Sequence, residues 1–213
     1  MPGLISAARL TLTEFLAALL DSVRAMWPWE AFAVILAIIY LLLAIRQNIL
    51  CWVAAFISTA IYLVLMLKVG LYMESVLQLF YMAMAVYGWH SWRTGAGATR
   101  ELQVSSWPLA FNILPVLIIL LATAISGFML QRYTVAAMPY VDSFTTWGAM
   151  ISTWMVARKI IQNWHYWFVV DSVSIYLYAN RGLWLTVLLF ALYLVLIVMG
   201  LREWRKCLPV QTR

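Results

Sequence analysis

The stretch "GWHSWR" at residues 88–93 returns as "GLREWR" at residues 200–205, 112 positions further along the chain. An internal repeat constrains an architecture more tightly than any single helix assignment. Upstream, Tyr81 meets Tyr193, and "VGL" at residues 69–71 meets "RGL" at residues 181–183, both at the same offset. Further upstream the matches slip. "AIY" ending at Tyr62 pairs with "SIY" ending at Tyr176 at an offset of 114, and Asn48 and Trp52 pair with Asn163 and Trp167 at 115. The duplicated unit therefore covers residues 46–93 and 158–205, with a short contraction expected inside the second copy.

Of the 213 residues, 66% are hydrophobic and 10% charged, and the mean hydropathy of +0.91 lies well outside the range of soluble domains. Apolar runs recur at the ~20 residues that a helix needs to cross a bilayer core. They predict seven spans, at 29–45, 49–67, 71–92, 107–130, 141–157, 164–180 and 183–202. Three fall in each repeat and one lies between. The predicted fold class is an all-α integral membrane protein of seven transmembrane helices, built as two parallel three-helix repeats joined by a connector helix. Three spans followed by one restore the starting side, so the second repeat enters in the orientation of the first, related to it by an axis along the membrane normal.

The expected boundaries are an N-terminal segment at 1–28, repeat 1 at 29–93, a connector including helix 4 at 94–140, repeat 2 at 141–206 and a tail at 207–213. In the N-terminal segment Leu4, Ile5, Ala8, Leu12, Phe15, Leu16, Leu19 and Val23 recur with a helical period. That pattern predicts an amphipathic helix lying on the membrane and argues against a removable signal peptide. No other stretch outside the spans is longer, so function is expected within the bundle.

Lysine and arginine total 14 against 8 acidic residues, a net charge of +6. The basic residues stand singly in loops instead of clustering as a nucleic-acid surface does, so they report topology and no nucleic-acid partner is expected. Arg46, Arg93, Arg100, Arg158, Lys159, Arg202, Arg205, Lys206 and Arg213 fall on one side, against Arg9, Arg24, Lys68, Arg132 and Arg181 on the other. The positive-inside rule places the richer side, with the C-terminus, in the cytoplasm of a multi-pass inner-membrane protein. Cys51 in a span and Cys207 in the tail are expected to be unpaired. Trp27, Trp29, Trp92, Trp107 and Trp204 are expected to act as interfacial anchors.

On the sixth span Trp164, Trp167, Asp171, Ser174 and Tyr178 fall within an arc of about 80°. A carboxylate facing lipid at the bilayer centre costs at least ~2.5 kcal/mol, so Asp171 is expected to face a watery cavity or a cationic ligand. The structural alternative is an aspartate hydrogen-bonded between helices. The third span presents Glu74, Gln78, Tyr81 and Gly88 along one face, where the seventh has Thr186, Phe190, Tyr193 and Gly200. A repeated template with unlike chemistry suits a site for one asymmetric small molecule. On the second span Asn48, Trp52, Thr59 and Tyr62 share a face. Indole faces, a carboxylate and amides together suit a flat ring carrying positive charge.

The chain contains no HExxH, no GxSxG elbow and no carboxylate-rich metal box, so it is not read as an enzyme and no cofactor or metal ligand is assigned. A channel would call for a ring of repeated filter residues, which one asymmetric copy does not provide. The alternative from another class is a haem-binding or other intramembrane redox protein, with His90 and His165 near the cytoplasmic ends of their spans as ligands.

"NWHYWFVVD" at 163–171, "SIYLYANRGLWLTVLLFALYLVL" at 174–196 and "LYMESVLQLFYMAMAVYGWHSW" at 71–92 resemble the PnuC vitamin transporters, over about residues 30–206. That family is similar in fold to the SWEET sugar transporters. The resemblance implies import of a vitamin precursor, nicotinamide riboside first, by facilitated diffusion, with trapping through phosphorylation by a separate cytoplasmic kinase. Thiamine and riboflavin are the alternative substrates it brings, and a homo-oligomer is compatible with it. Carried over, Trp164 and Trp167 would stack on the substrate ring with Asp171, Asn48 and Gln78 nearby. The substrate-binding set expected from residues and resemblance together is Asn48, Trp52, Glu74, Gln78, Tyr81, Trp164, Trp167, Asp171 and Ser174. Many relatives carry "YADA" where this chain has "YMES", with Glu74 in place of the aspartate.

Overall fold

The computed structural model describes residue 20 and residues 28–68, 72–95, 102–134 and 137–208, without the side chains of 72–74. Residue 20 apart, the expected N-terminal amphipathic segment lies outside the described residues, as do residues 209–213 of the tail. Among the described residues from 28 onward seven α-helices follow one another: α1 (Pro28–Ile45), α2 (Cys51–Lys68), α3 (Tyr72–Thr94), α4 (Ile113–Tyr133), α5 (Pro139–Ala157), α6 (Asn163–Asn180) and α7 (Trp184–Lys206). A short 3-10 turn, Leu109–Asn112, leads into α4. Four of them, α1, α2, α4 with its leading turn, and α7, are long and apolar enough to cross a membrane by composition alone. Two of the other three, α3 and α6, carry the acidic and amide residues that the sequence assigns to an interior. α4 starts later than its apolar run suggests, because Trp107 and Pro108 stay extended. Pro115 sits in its first turn, where a missing N–H leaves no intrahelical bond unmade.

The helices pack as a closed ring. α1 lies against α2, α2 against α3, α3 against α5, α5 against α6, α6 against α7, and α7 returns to α1. α4 stands outside the ring on α5, with Leu114, Leu117, Leu121, Ile125 and Phe128 exposed, as the bilayer-facing side of a membrane helix requires. Across the ring, α3 and α7 do not pack backbone to backbone, and neither do α3 and α6.

The two halves of the ring correspond at a constant offset of 112 residues. α2 and α6 begin and end 112 positions apart, as do α3 and α7. The turns that close α1 and α5 are the same object: Gln47 (φ 54°) and Lys159 (φ 49°) both adopt the left-handed conformation. In each turn a 6→1 bond follows, Asn48 N to Leu43 O and Ile160 N to Met155 O, both 2.9 Å. This is a Schellman cap built without glycine, and it costs each turn roughly 1–2 kcal/mol that the packing beneath must offset. The offset corrects the upstream register read from sequence. Trp52 corresponds to Trp164 and not to Trp167, and Asn48 corresponds to Ile160 and not to Asn163. The slip arose because helical spacing places a second tryptophan, Trp167, three residues beyond the true match on nearly the same face.

Candidate functional site

At the end of the ring where α1 passes into α2, called the basic end for the arginines around it, four tryptophans fill the interior. Trp52 packs on Gly88 and Trp164 on Gly200; in both cases a Cβ on the glycine would collide with the indole. Trp52 meets Trp92 edge-on (5.5 Å, 84°), and Trp164 meets Trp204 edge-on (5.4 Å, 89°). Trp92 and Trp204 meet each other at 6.3 Å across the ring. Each of these two also donates a hydrogen bond to the other half: Trp92 Nε1 to Val156 O (3.2 Å) and Trp204 Nε1 to Ala44 O (3.1 Å). Trp92 and Trp204 are 4% and 0% exposed, so they are core residues and not the interfacial anchors expected from sequence. Trp29, at 64% exposed, fits that role; Trp27 lies outside the described residues. The Lys159 ammonium lies over the Trp92 ring, 4.6 Å from its centroid, a cation–π contact in a desolvated place.

One feature breaks the correspondence at this end. Residues 102–108 run across the α5–α6 turn, where Ser105 bridges Ile160 through Ser105 N to Lys159 O and Ile161 N to Ser105 O, both 2.9 Å. Gln162 holds the same strap with three more bonds, to Trp107 N, Trp107 O and Ser106 Oγ. Val104 is thereby buried in the core cluster that contains the tryptophans.

Deeper in the ring the chemistry turns polar. Asp171 and Ser174 on α6 are buried, 2% and 3% exposed, and Trp167 is half-buried against the tryptophan core. The Asp171 carboxylate lies within electrostatic range of the hydroxyls of Tyr81 on α3 and Tyr193 on α7, two residues that correspond at the 112 offset. Tyr178 stacks on Phe190 (5.4 Å, 24°), which meets Tyr193 edge-on. Towards the opposite end, Tyr62 on α2 has Glu30 and Tyr178 as its charged and phenolic neighbours. Glu30 corresponds to Asp142, whose carboxylate takes a 2.7 Å ion pair from Arg181. In the sequence, Val69 occupies the position 112 residues before Arg181.

The predicted residues divide accordingly. Trp167, Asp171, Ser174 and Tyr81 lie on ring helices at the polar level, and Gln78 is half-buried on α3. Glu74 falls in α3, but its side chain is outside the described residues. Trp52 and Trp164 are packed into glycine notches and form a floor beneath the polar level. Asn48 is a correction: it is exposed in the α1–α2 turn, where its Oδ1 accepts the Leu50 N–H (2.9 Å) and caps α2. Tyr62, Tyr178, Phe190, Tyr193 and Glu30 join the site beyond the expected set. The 112 offset already paired Tyr193 with Tyr81 in the sequence; carried upstream unchanged, it would have exposed Glu30 as well, by pairing it with Asp142. His90 and His165 are both exposed, on helices that do not pack together, so the arrangement does not bring them to one haem. Cys51 and Cys207 are free thiols, the first buried and the second exposed. A separate cavity of ≈ 580 Å³ lies outside the ring between α4, α5 and α6, lined chiefly by apolar side chains such as Ile119, Phe144 and Val169.

The sequence profile described as nicotinamide mononucleotide transporter matches residues 27–206, the whole seven-helix bundle. The chain belongs to that family. Curated relatives of this transporter family include the nicotinamide riboside transporter PnuC of Escherichia coli, 22% identical over 200 residues that cover 82% of this chain and 84% of that protein. The riboflavin/roseoflavin transporter RibM of Streptomyces davaonensis is 25% identical over 175 residues, covering 80% and 81%. Among solved structures, the crystal structure of the vitamin B3 transporter PnuC matches with a TM-score of 0.69 at 20% identity, over 93% of this chain and 92% of that one. The family is one of multi-pass membrane transporters, and the all-α fold found here is the fold of its solved member.

Proposed function

We propose that the protein imports a vitamin precursor, nicotinamide riboside, by facilitated diffusion through the six-helix ring. The observation that carries this reading is Asp171: a carboxylate buried midway along a membrane helix, among aromatic rings and phenolic hydroxyls. Nicotinamide riboside presents a flat pyridinium with a permanent positive charge, which needs a counter-charge and a π face once it leaves water. Trp167 supplies the face, Asp171 the charge, and Gln78, Tyr81, Ser174 and Tyr193 the hydrogen bonds to ribose and amide; Glu30 adds negative charge on the approach from the opposite end. The constant offset and the closed ring support a three-plus-one-plus-three architecture with parallel repeats about an axis along the membrane normal. The basic end is the cytoplasmic face on this reading, and a cytoplasmic kinase would hold the substrate inside by phosphorylating it.

The similarity to RibM favours riboflavin as the second reading, a flat ring without the charge. Titrating purified protein with nicotinamide riboside, thiamine and riboflavin side by side separates the cases. Tightest binding of nicotinamide riboside supports the proposal; tightest binding of riboflavin, unaffected by Asp171→Asn, replaces it with the second reading.

A further inference from the structure

We propose that the four tryptophans at the basic end are the inner gate of the pathway, and that it opens along the seam between Trp92 and Trp204. The inference rests on the reading that the pathway runs through the ring, but not on any particular substrate. α3 and α7 approach each other there through side chains alone, since their backbones do not pack. The indole pair closes a gap that the helices leave open.

What holds the gate shut is small and nearly symmetric: the crossed bonds Trp92 Nε1 to Val156 O and Trp204 Nε1 to Ala44 O, with residues 44 and 156 again 112 apart, and on one side the Lys159 ammonium over the Trp92 ring. What opposes closure is equally symmetric. The indole N–H groups of Trp52 and Trp164 are buried without a hydrogen-bond partner among the described residues. A buried donor left unpaired costs at least as much as a net hydrogen bond contributes, so two unpaired N–H groups offset two crossed bonds. A closure offset in this way leaves the open and closed states close in free energy, so that both are populated.

The strap decides which body moves. Residues 102–108 are tied to the α5–α6 turn by the Ser105 bridge and the Gln162 bonds, so strap, α4 and the second half travel together. The α1–α2 turn has no counterpart of that tie among the described residues, leaving the first half to swing against the second. Cys51, 0% exposed and part of the same core cluster, sits in the first half immediately beneath Trp52 in sequence and reports the opening.

The test uses the full chain carrying Cys207→Ser, so that Cys51 is the single thiol, reconstituted in vesicles and exposed to a charged maleimide from either side. Trp92→Phe and Trp204→Phe each keep an aromatic ring but delete one crossed bond. Each should raise the rate of Cys51 labelling about 5-fold, from the cytoplasmic side only, and the two rates should agree within about twofold. If either variant fails to fold, benzothienylalanine at the same position replaces the N–H with sulfur while keeping the shape of the ring, with the same expectation. Unchanged labelling in both variants, or a rise from the opposite side, overturns the gate. Faster labelling in a protein that binds none of the three vitamins leaves the gate standing and removes only the substrate reading.

Discussion

At the scale of single residues, Asp171 separates function from packing. Removing its charge while keeping its shape, Asp171→Asn, should weaken binding of the cationic vitamin about 5- to 30-fold, equivalent to about 1–2 kcal/mol. An uncharged analogue of the same ring should lose much less, and paired titrations of the two ligands read the difference. Equal losses for both would make the aspartate structural. Trp167→Leu keeps the apolar bulk and removes the π face, with a similar penalty expected for the charged ligand. The inward position of Asp171 was legible in the sequence because an acid in an apolar helix has few reasons to be there. Asn48 was misread because helical periodicity does not distinguish the last turn of a pathway from the cap of the helix that begins there.

At the scale of elements, the glycines on α3 and α7 set how closely the helices around them approach. An ordinary interior helix glycine gains roughly 0.5–1 kcal/mol when replaced by alanine. Gly88→Ala and Gly200→Ala should instead destabilise, by about 1–3 kcal/mol each, because the added methyl meets an indole held on its other side by a second tryptophan. Thermal unfolding in detergent gives the sign directly, and a higher melting temperature for either variant would mean that the notch can yield. The helices themselves were legible: apolar runs of bilayer length placed all seven, with the largest error at the start of α4. The register of the repeat was legible only from residue 69 onward, since upstream of it Trp164 and Trp167 compete for the match to Trp52 and only the glycine notch decides between them. The strap at 102–108 was invisible too, because its pairing lies with a turn more than 50 residues away and leaves no local period.

At the scale of the whole molecule, the proposed facilitated diffusion through the ring needs no driving ion. Uptake of nicotinamide riboside into proteoliposomes should level at equal concentrations inside and out, with or without an imposed sodium or proton gradient; accumulation above the external level under either gradient would overturn uniport. The crossed seams of the ring, α1 on α7 and α3 on α5, have a further consequence. Contacts that pair residue with residue at a fixed offset, and then pair the same two positions in reverse, are what an isologous dimer interface contains. Covalent continuity between the halves is therefore not what orients them. Cut between residues 95 and 102 and co-expressed, the two fragments should find each other in the membrane and co-purify, the strap remaining with the C-terminal piece. Trp204→Ala in that piece alone should cut the recovery of its partner, showing that a split chain reassembles through the indole seam as two separate subunits would.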